Sequence, residues 1–305
     1  LLIEVRYSSL NYKDALSATG HPGVTRKFPH TPGIDAAGVV VSCEDGAFAP
    51  GDQVIVTSYD LGMETDGGFG RMIRVPSAWA LPLPDGLSIQ ESMMLGTAGL
   101  TAALSLLELV ESGARPEQGP ILVTGATGGV GSLAVAMLAQ AGFQVTAATG
   151  KLSETDYLKG LGASEVIERA NVLAGAERPM MKPVWAGAVD CVGGETLAAA
   201  LKATKYGGVV TCCGLVGSSD LPLNVFPFIL RGARLIGIDS VECPMAKRQA
   251  VWRKLAADWK PERLADMVDE VGLEELDEKM DAMLNARLTR RVLVNLAPGF
   301  SAPRA

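Results

Sequence analysis

Apolar residues recur in brief runs over the first ninety positions and in longer alternating blocks after that, and the two regimes predict different architectures. Up to residue 92 the runs are short and set off by Gly and Pro. Residues 3–7, 36–42, 53–57 and 72–75 read as strands. Pro32-Gly33-Ile34-Asp35 and Pro50-Gly51-Asp52 read as turns, and Gly67-Gly68-Phe69-Gly70 precedes the last strand. Strands at this spacing predict a small barrel-like domain. Pro82 and Pro84 mark a connector. Residues 88–110 carry a helical pattern that breaks at Gly96-Thr97-Ala98-Gly99-Leu100-Thr101. From Ile121 onward strands alternate with helices: strands at 121–124, 143–148, 165–168, 184–192, 208–213 and 234–239, helices at 131–141, 154–161 and 195–204. Such alternation predicts an α/β fold with a doubly wound sheet of about six strands. Helices are expected at 245–258, 261–269 and 274–286. A last strand is expected at 291–296, ahead of a loose Pro/Gly tail.

The strongest local signal is Thr124-Gly125-Ala126-Thr127-Gly128-Gly129-Val130-Gly131. An apolar strand runs into it and a small-residue helix runs out. Glycines at 125, 128 and 131 permit a tight turn, close backbone approach to a pyrophosphate, and close packing of helix on strand. The helix N-terminus adds N–H groups and a positive dipole end. A glycine triplet by itself is an ordinary loop; the flanking strand and helix make it a dinucleotide-binding turn.

Composition narrows the picture. A net charge of −7 supplies no basic surface for nucleic acid. The five cysteines show no CxxC pair, which fits buried, reduced thiols and a cytoplasmic protein. No residue from Gln118 to Gly150 is charged, but the glycine turn splits that stretch into halves too short to cross a bilayer. A buried parallel strand with its crossover helix explains it. The chain opens on Leu1-Leu2-Ile3-Glu4-Val5, already strand-like and without a Met, so residues preceding Leu1 are expected.

The end of the second nucleotide-domain strand bears on the cofactor. NAD proteins place Asp or Glu there to bind the ribose 2′-hydroxyl. Here the segment reads Ala147-Ala148-Thr149-Gly150-Lys151, with no acid and a cation following. A carboxylate would repel a 2′-phosphate, whereas Lys151 and the Thr149 hydroxyl attract it. Arg169, just past the third strand, is placed to cover the same end. The bland alternative for Lys151 is a solvated surface charge. The expected cofactor is NADPH.

Several motifs together resemble the medium-chain dehydrogenase/reductase superfamily: Ser9-Leu10-Asn11-Tyr12-Lys13-Asp14, Pro32-Gly33-Ile34-Asp35, Gly96-Thr97-Ala98-Gly99, the 124–131 turn, Trp185-Ala186-Gly187-Ala188-Val189-Asp190 and Pro227-Phe228-Ile229-Leu230-Arg231. The chain is most similar to the zinc-free quinone-oxidoreductase branch, and within it to NADPH-dependent acryloyl-CoA reductases. The resemblance implies a GroES-like β-barrel-type catalytic domain in residues 1–92, a Rossmann domain in 93–240 and a C-terminal segment, 241–305, returning to the catalytic domain. Zinc members need Cys, His and acidic ligands. Where they carry Gly-His-Glu this chain has Gly33-Ile34-Asp35, and His21 and His30 lack a Cys companion at ligand spacing. No metal is expected.

The resemblance also implies roles. Tyr12 flanks the nicotinamide and Thr101 approaches its carboxamide. Thr127, Gly128, Gly129 and Val130 hold the pyrophosphate. Thr149, Gly150 and Lys151 hold the 2′-phosphate, with Arg169 near the adenosine. Leu215, Ile229 and Ser240 line the cleft. Asn285 is a looser match, near Arg287, Arg290 and Arg291. The implied reaction moves a hydride to the β-carbon of a short α,β-unsaturated acyl-CoA while charge develops on the thioester oxygen. Tyr12 is the candidate acid or proton relay, Asn11 its orienter or a donor, and Asp35 a tuning group. Against these stand a Tyr12 that only packs on the cofactor and an Asn11 that only caps a turn. Quinone reduction with NADPH, and NADPH binding without turnover, remain open. Arg26 and Lys27 are candidates for the CoA phosphates. The strand at 234–239 is expected at a sheet edge, and because edges invite pairing and related proteins dimerise there, a homodimer is expected; a monomer in sedimentation at micromolar concentration refutes it.

Overall fold

The computed structural model describes residues 1–297, so the predicted loose tail lies outside the described residues. The chain divides into two units, one of residues 1–100 and 240 onward, the other of residues 101–239.

The first unit starts with β1 (Leu2–Leu10), and its next residues turn at once into α1 (Tyr12–Ala18). Periodicity gave no sign of this short helix. Its start is written locally instead: the Asp14 carboxylate accepts the Asn11 backbone N–H at 2.7 Å, the reach-back half of a capping box. There follow β2 (Asp35–Ser42), β3 (Gln53–Thr57), β4 (Met72–Arg74), β5 (Ala80–Pro82) and α2 (Ile89–Glu111). α2 is one helix by length but breaks at Gly96, where the backbone is at φ 54°, ψ −154°. It is also the one described helix long and apolar enough to cross a membrane, and 72% of its most apolar window is buried within the protein.

The second unit runs β6 (Ile121–Thr124), α3 (Gly129–Gln140), β7 (Val145–Thr149), α4 (Thr155–Gly160), β8 (Glu165–Glu168), α5 (Arg169–Leu173), β9 (Trp185–Asp190), α6 (Gly194–Lys202), β10 (Thr204–Cys212), α7 (Phe226–Arg231) and β11 (Arg234–Gly237). The strands pair in the order β11-β10-β9-β6-β7-β8, all parallel. In chain order that is 3-2-1-4-5-6, the doubly wound dinucleotide arrangement, with its switch point between β6 and β9. β11 is the edge strand, as expected. Parallel strands covered by helices read as continuous apolar runs, which is why 118–150 carries no charge. Leu122, Ala148, Ala188 and Val210 from four adjacent strands pack with Leu197 and Leu201 of α6.

The chain then returns through α8 (Met245–Leu255), β12 (Val268–Val271), α9 (Leu276–Leu284) and β13 (Arg291–Asn295). β13 pairs with β1, extending the first sheet to β12-β13-β1-β2-β3-β5, with β4 also on β1. Here one expectation fails. Residues 261–269 do not form a helix: a single 3₁₀ turn, Leu264–Met267, leads straight into β12. β12 lies parallel to β13, Val268 opposite Arg291. Burial of Leu264, Met267 and Val271 outweighs a local helical preference worth only tenths of a kcal/mol per residue.

Candidate functional site

In the second unit the four residues of β6 are all buried and deliver the chain into the glycine turn. A Cβ at Gly131 would lie 2.3 Å from the Gly125 carbonyl oxygen, so only glycine lets α3 start this close to the strand. Ala126 N–H is tied to the Ala148 carbonyl at the end of β7, at 3.1 Å. Gly128 caps α3 without a side chain, so the first-turn N–H groups of Gly129 and Val130 open outward. That is the geometry an anion takes at a helix N-terminus.

β7 ends at Thr149. Its Oγ1 lies 3.3 Å from Thr127 Oγ1 and accepts the Lys151 backbone N–H at 3.0 Å. The Arg169 guanidinium carbon is 3.9 Å from the place of a Gly150 Cβ. Thr127, Thr149, Gly150, Lys151 and Arg169 are thus gathered at one strand tip. Burial draws the Lys151 ammonium down from its ordinary value, against the pull of Glu154. At the tip of β9, Asp190 is fully buried. Its carboxylate accepts the Thr124 hydroxyl at 2.7 Å and the Gly193 N–H at 2.7 Å, stitching the two sides of the switch point. Burial pushes its carboxyl up, and the Thr124 bond opposes this. Leu215, after β10, and Ile229, on α7, are both exposed.

The first unit holds a buried polar knot. Asp35 opens β2 with no solvent exposure. Its Oδ2 accepts the Ser9 hydroxyl at 2.6 Å and the Asn11 side-chain amide at 2.8 Å. Its Oδ1 accepts the Thr97 hydroxyl at 2.6 Å, and the Thr97 backbone N–H bridges both oxygens. Because Thr97 spends its proton on Asp35, Ser58 donates to Thr97 across their 3.0 Å contact. The second Asn11 amide hydrogen goes to the Ser9 carbonyl, and Asn11 Oδ1 accepts from Arg291 at 3.1 Å. Asn11 is therefore fully engaged. Tyr12, the first residue of α1, keeps 39% of its surface exposed.

Two further groups tighten the knot. Asp14 accepts the backbone N–H groups of Gly33 and Ile34, which fixes the turn that presents Asp35. Burial pushes its carboxyl up to about 7, with nearby Asp35 adding to the rise against the Asn11 bond. Arg291 reaches from β13 to the carbonyls of Leu10 and Met94, the latter in the first turns of α2. Burial lowers its guanidinium from the ordinary value while Asp35 and Asp14 pull it back. Gly96 sits against this group: a Cβ there would be 2.4 Å from Asp35 Oδ2 and 2.5 Å from Ser9 Oγ.

Ser58, Gly96, Arg291 and Arg248 did not stand out as site residues in the sequence. Ser58 and Tyr59 both have positive φ, 64° and 51°. Tyr59 is held between Trp79, stacked at 5.5 Å, and the buried Arg248, 4.5 Å over its ring. Arg248 also donates to the Ser240 carbonyl. Ser240 itself is buried, and Thr101 is buried with its carbonyl accepting from Ser105. Asn285 follows α9 and spends its amide on Asp281. The three C-terminal arginines part company: Arg287 pairs with Asp281, Arg290 with Asp269, and Arg291 enters the knot. Arg26 stands 3.7 Å from Glu64.

A catalytic zinc does not fit this arrangement. The carboxylate at the ligand position is saturated by hydrogen bonds from Ser9, Asn11 and Thr97, since an ionised carboxylate offers about four acceptor sites. Among the described residues no group of three His, Cys, Asp or Glu side chains is placed to hold a metal.

Residues 1–85 match the alcohol dehydrogenase GroES-like domain and residues 129–259 the zinc-binding dehydrogenase domain. A putative quinone oxidoreductase, YhfP of Bacillus subtilis, is 50% identical over 97% of this chain and 90% of its own length. Its crystal structure, with NAD bound, superposes with a TM-score of 0.94. The probable acrylyl-CoA reductase AcuI of Escherichia coli is 44% identical over 96% of this chain and 90% of its own. The YhdH oxidoreductase of Salmonella enterica, solved in complex with NADP, is 44% identical, with a TM-score of 0.94 over 97% of this chain and 90% of that one. With a GroES-like unit, a doubly wound dinucleotide unit and relatives this similar over nearly their whole length, the chain belongs to the medium-chain dehydrogenase/reductase superfamily, in the branch of the quinone oxidoreductases and acrylyl-CoA reductases.

Proposed function

We propose that this protein is a cytoplasmic, NADPH-dependent reductase of the C=C bond of a short α,β-unsaturated acyl-CoA, converting acryloyl-CoA to propanoyl-CoA without a metal. One observation carries the reading: the side chain at the metal-ligand position is committed to hydrogen bonds. A substrate reduced there must be electrophilic before it binds, as a double bond conjugated to a thioester is. The names of the E. coli and Ruegeria pomeroyi relatives, 44% and 42% identical, support the same substrate class.

NADPH, when bound, supplies the hydride. Thr127, Gly128, Gly129 and Val130 hold the pyrophosphate at the α3 N-terminus. Thr149, Gly150, Lys151 and Arg169 meet the 2′-phosphate, where no carboxylate of the strand tip opposes it. Thr101, Leu215, Ile229, Ser240 and Asn285 complete the dinucleotide contacts. As negative charge gathers on the thioester oxygen, Tyr12 delivers a proton to the α-carbon. Its phenol is half-exposed on a helix whose first residue is fixed by the Asn11 knot. Asn11 and Asp35 act as positioning residues, because every hydrogen-bonding atom of the Asn11 amide is already engaged. The functional protein is a homodimer joined along the β11 edge.

Quinone reduction is the second reading, favoured by the name of the B. subtilis relative at 50% identity. The test is NADPH oxidation against enoyl-CoAs of increasing length and a benzoquinone. The proposal expects the highest kcat/KM with acryloyl-CoA. A higher value with the benzoquinone overturns it.

A further inference from the structure

We propose that Cys191 and Cys213 form an oxidisable dithiol, which a hydroperoxide converts into an intramolecular disulfide, and that this bond weakens dinucleotide binding at the adjoining glycine turn. The crosslink stands apart from the substrate reading; its effect on the dinucleotide rests on the nucleotide role of the turn.

The two sulfurs are 3.8 Å apart, in van der Waals contact, in a chain with no disulfide among its described cysteines. Cys191 follows β9 and Cys213 follows β10. The register places Cys212 opposite Asp190, so the next pair in line is Cys213 and Cys191. The Cys213 backbone N–H donates to the Asp190 carbonyl at 3.0 Å, holding the two strand ends together. Neighbouring strands run about 4.8 Å apart, inside the roughly 4.4–6.8 Å Cα window a disulfide accepts. Side-chain rotation is then enough to bring the sulfurs to bonding distance. Both residues are half-buried. Cys212 is adjacent in sequence to Cys213 but packs its sulfur against the apolar core of the sheet. Successive strand side chains face opposite ways, so it is not the partner.

The chemistry balances with a peroxide as oxidant. The Cys213 thiolate attacks one peroxide oxygen, the O–O bond breaks, and Cys213 becomes a sulfenic acid with loss of water or alcohol. Cys191 then attacks that sulfur, forming S–S and releasing water. Two thiols are oxidised, one peroxide is reduced, and both thiol protons leave in the products. The paired Cys213 sulfur, and then burial, hold the Cys191 thiol well above its ordinary value.

The link to the turn is direct contact. The Cys191 backbone N–H donates to Thr124 Oγ1 at 3.0 Å, and Thr124 immediately precedes Gly125. The Cys191 Cβ is 3.5 Å from where a Gly125 Cβ would stand. Closing a 3.8 Å gap to the about 2.05 Å of a disulfide turns the Cys191 sulfur toward β10 while its Cβ stays against Gly125. The residue that donates to Thr124 is then tied to the end of β10, and the turn can no longer adjust freely around a pyrophosphate.

The test treats the reduced full-length protein with hydrogen peroxide, alkylates the remaining thiols and maps the peptides by mass. The expected result is a linked pair of peptides carrying Cys191 and Cys213, with three of the five cysteines alkylated. The NADPH Kd of the oxidised protein rises at least about fivefold and recovers with dithiothreitol. Cys213→Ala and Cys191→Ala proteins give no linked peptide, and peroxide leaves their NADPH Kd unchanged. A bond to Cys212, no bond, or a crosslinked protein with unaltered Kd overturns the proposal. If the reduced wild type binds no NADPH, the nucleotide reading of the turn falls instead, while the mass map still decides the crosslink.

Discussion

Gly96→Ala puts one methyl group into the centre of the polar knot. The backbone there, φ 54° and ψ −154°, is nearly closed to residues with a Cβ, a cost of about 1–3 kcal/mol. The added carbon would meet Asp35 Oδ2 at 2.4 Å, Ser9 Oγ at 2.5 Å and an Arg291 nitrogen at 3.0 Å. None of these is the loose end of a surface side chain. Moving them costs about 1–3 kcal/mol as overpacking, and a hydrogen bond lost from the buried carboxylate about as much again. The three effects share one displacement and do not add in full. We expect a loss of about 4 kcal/mol, which at about 2–4 °C per kcal/mol lowers Tm by about 8 °C or more. Gly232→Ala is the control for a positive φ without a clash: its backbone is left-handed, φ 57° and ψ 25°, and nothing stands within 4 Å of its added Cβ. It pays for backbone alone, about 1 kcal/mol. Thermal and urea unfolding of both variants measures the difference. A Gly96→Ala loss of no more than about 2 kcal/mol would mean that Gly96 is glycine for its dihedral only and that the knot yields to an extra methyl, which would refute the rigid scaffold ascribed to Asp35.

Lys151→Glu places a carboxylate at the strand tip proposed to meet the 2′-phosphate, so the KM for NADPH should rise far more than that for NADH; steady-state kinetics with both cofactors check this, and an unchanged preference removes Lys151 from the site. Tyr12→Phe deletes the proposed acid; kcat with acryloyl-CoA should fall about 10²-fold or more with the NADPH Kd intact, and full kcat would end the acid role. Asp14 has a folded-state carboxyl near 7 against an ordinary 3.8. The folded protein therefore holds its proton more tightly than the unfolded chain. Its contribution to stability is present below about pH 4 and lost as pH rises through about 7, an effect of a few kcal/mol. Comparing the urea midpoints of wild type and Asp14→Asn from pH 4 to 8 should show the wild type losing ground over that window, and parallel curves would refute it.

What the sequence discloses of this fold follows from which forces are local. The doubly wound unit is legible because burial of both sheet faces writes each parallel strand as an unbroken apolar run and the turn demands its glycines. β12 is not legible, because Val268-Asp269-Glu270-Val271 becomes a strand only by pairing with β13. α7 is too short to show a helical period, and its only local marks are Pro227 at its start and the left-handed Gly232 at its end, both helix punctuation. In the site, the Thr149-Gly150-Lys151 tip could be read because its residues are consecutive. Of the knot only Asn11 and Asp35 are legible, through their motifs: Gly96 and Arg291 join them from distant segments, and nothing in the chain records that Arg291 turns inward while Arg287 and Arg290 face acids.

The knot also accounts for how one scaffold position changes its chemistry. A carboxylate beside an open coordination site is a ligand in waiting. Asp35 has Ser9 and Asn11 on one oxygen and Thr97 on the other, with Arg291 behind Asn11. In a buried setting such bonds are worth more than in water, and leaving any partner unmatched is costly. Displacing them with a cation would strand two hydroxyls, an amide and a backbone N–H at once. The position has thus become a scaffold. It fixes Asn11, which begins the helix that carries Tyr12, and it fixes Thr97, which begins the helix beyond the Gly96 break. On the proposed reading, electrophilic activation then comes from the substrate's own conjugation, and the task left to the scaffold is to hold the helix that carries Tyr12.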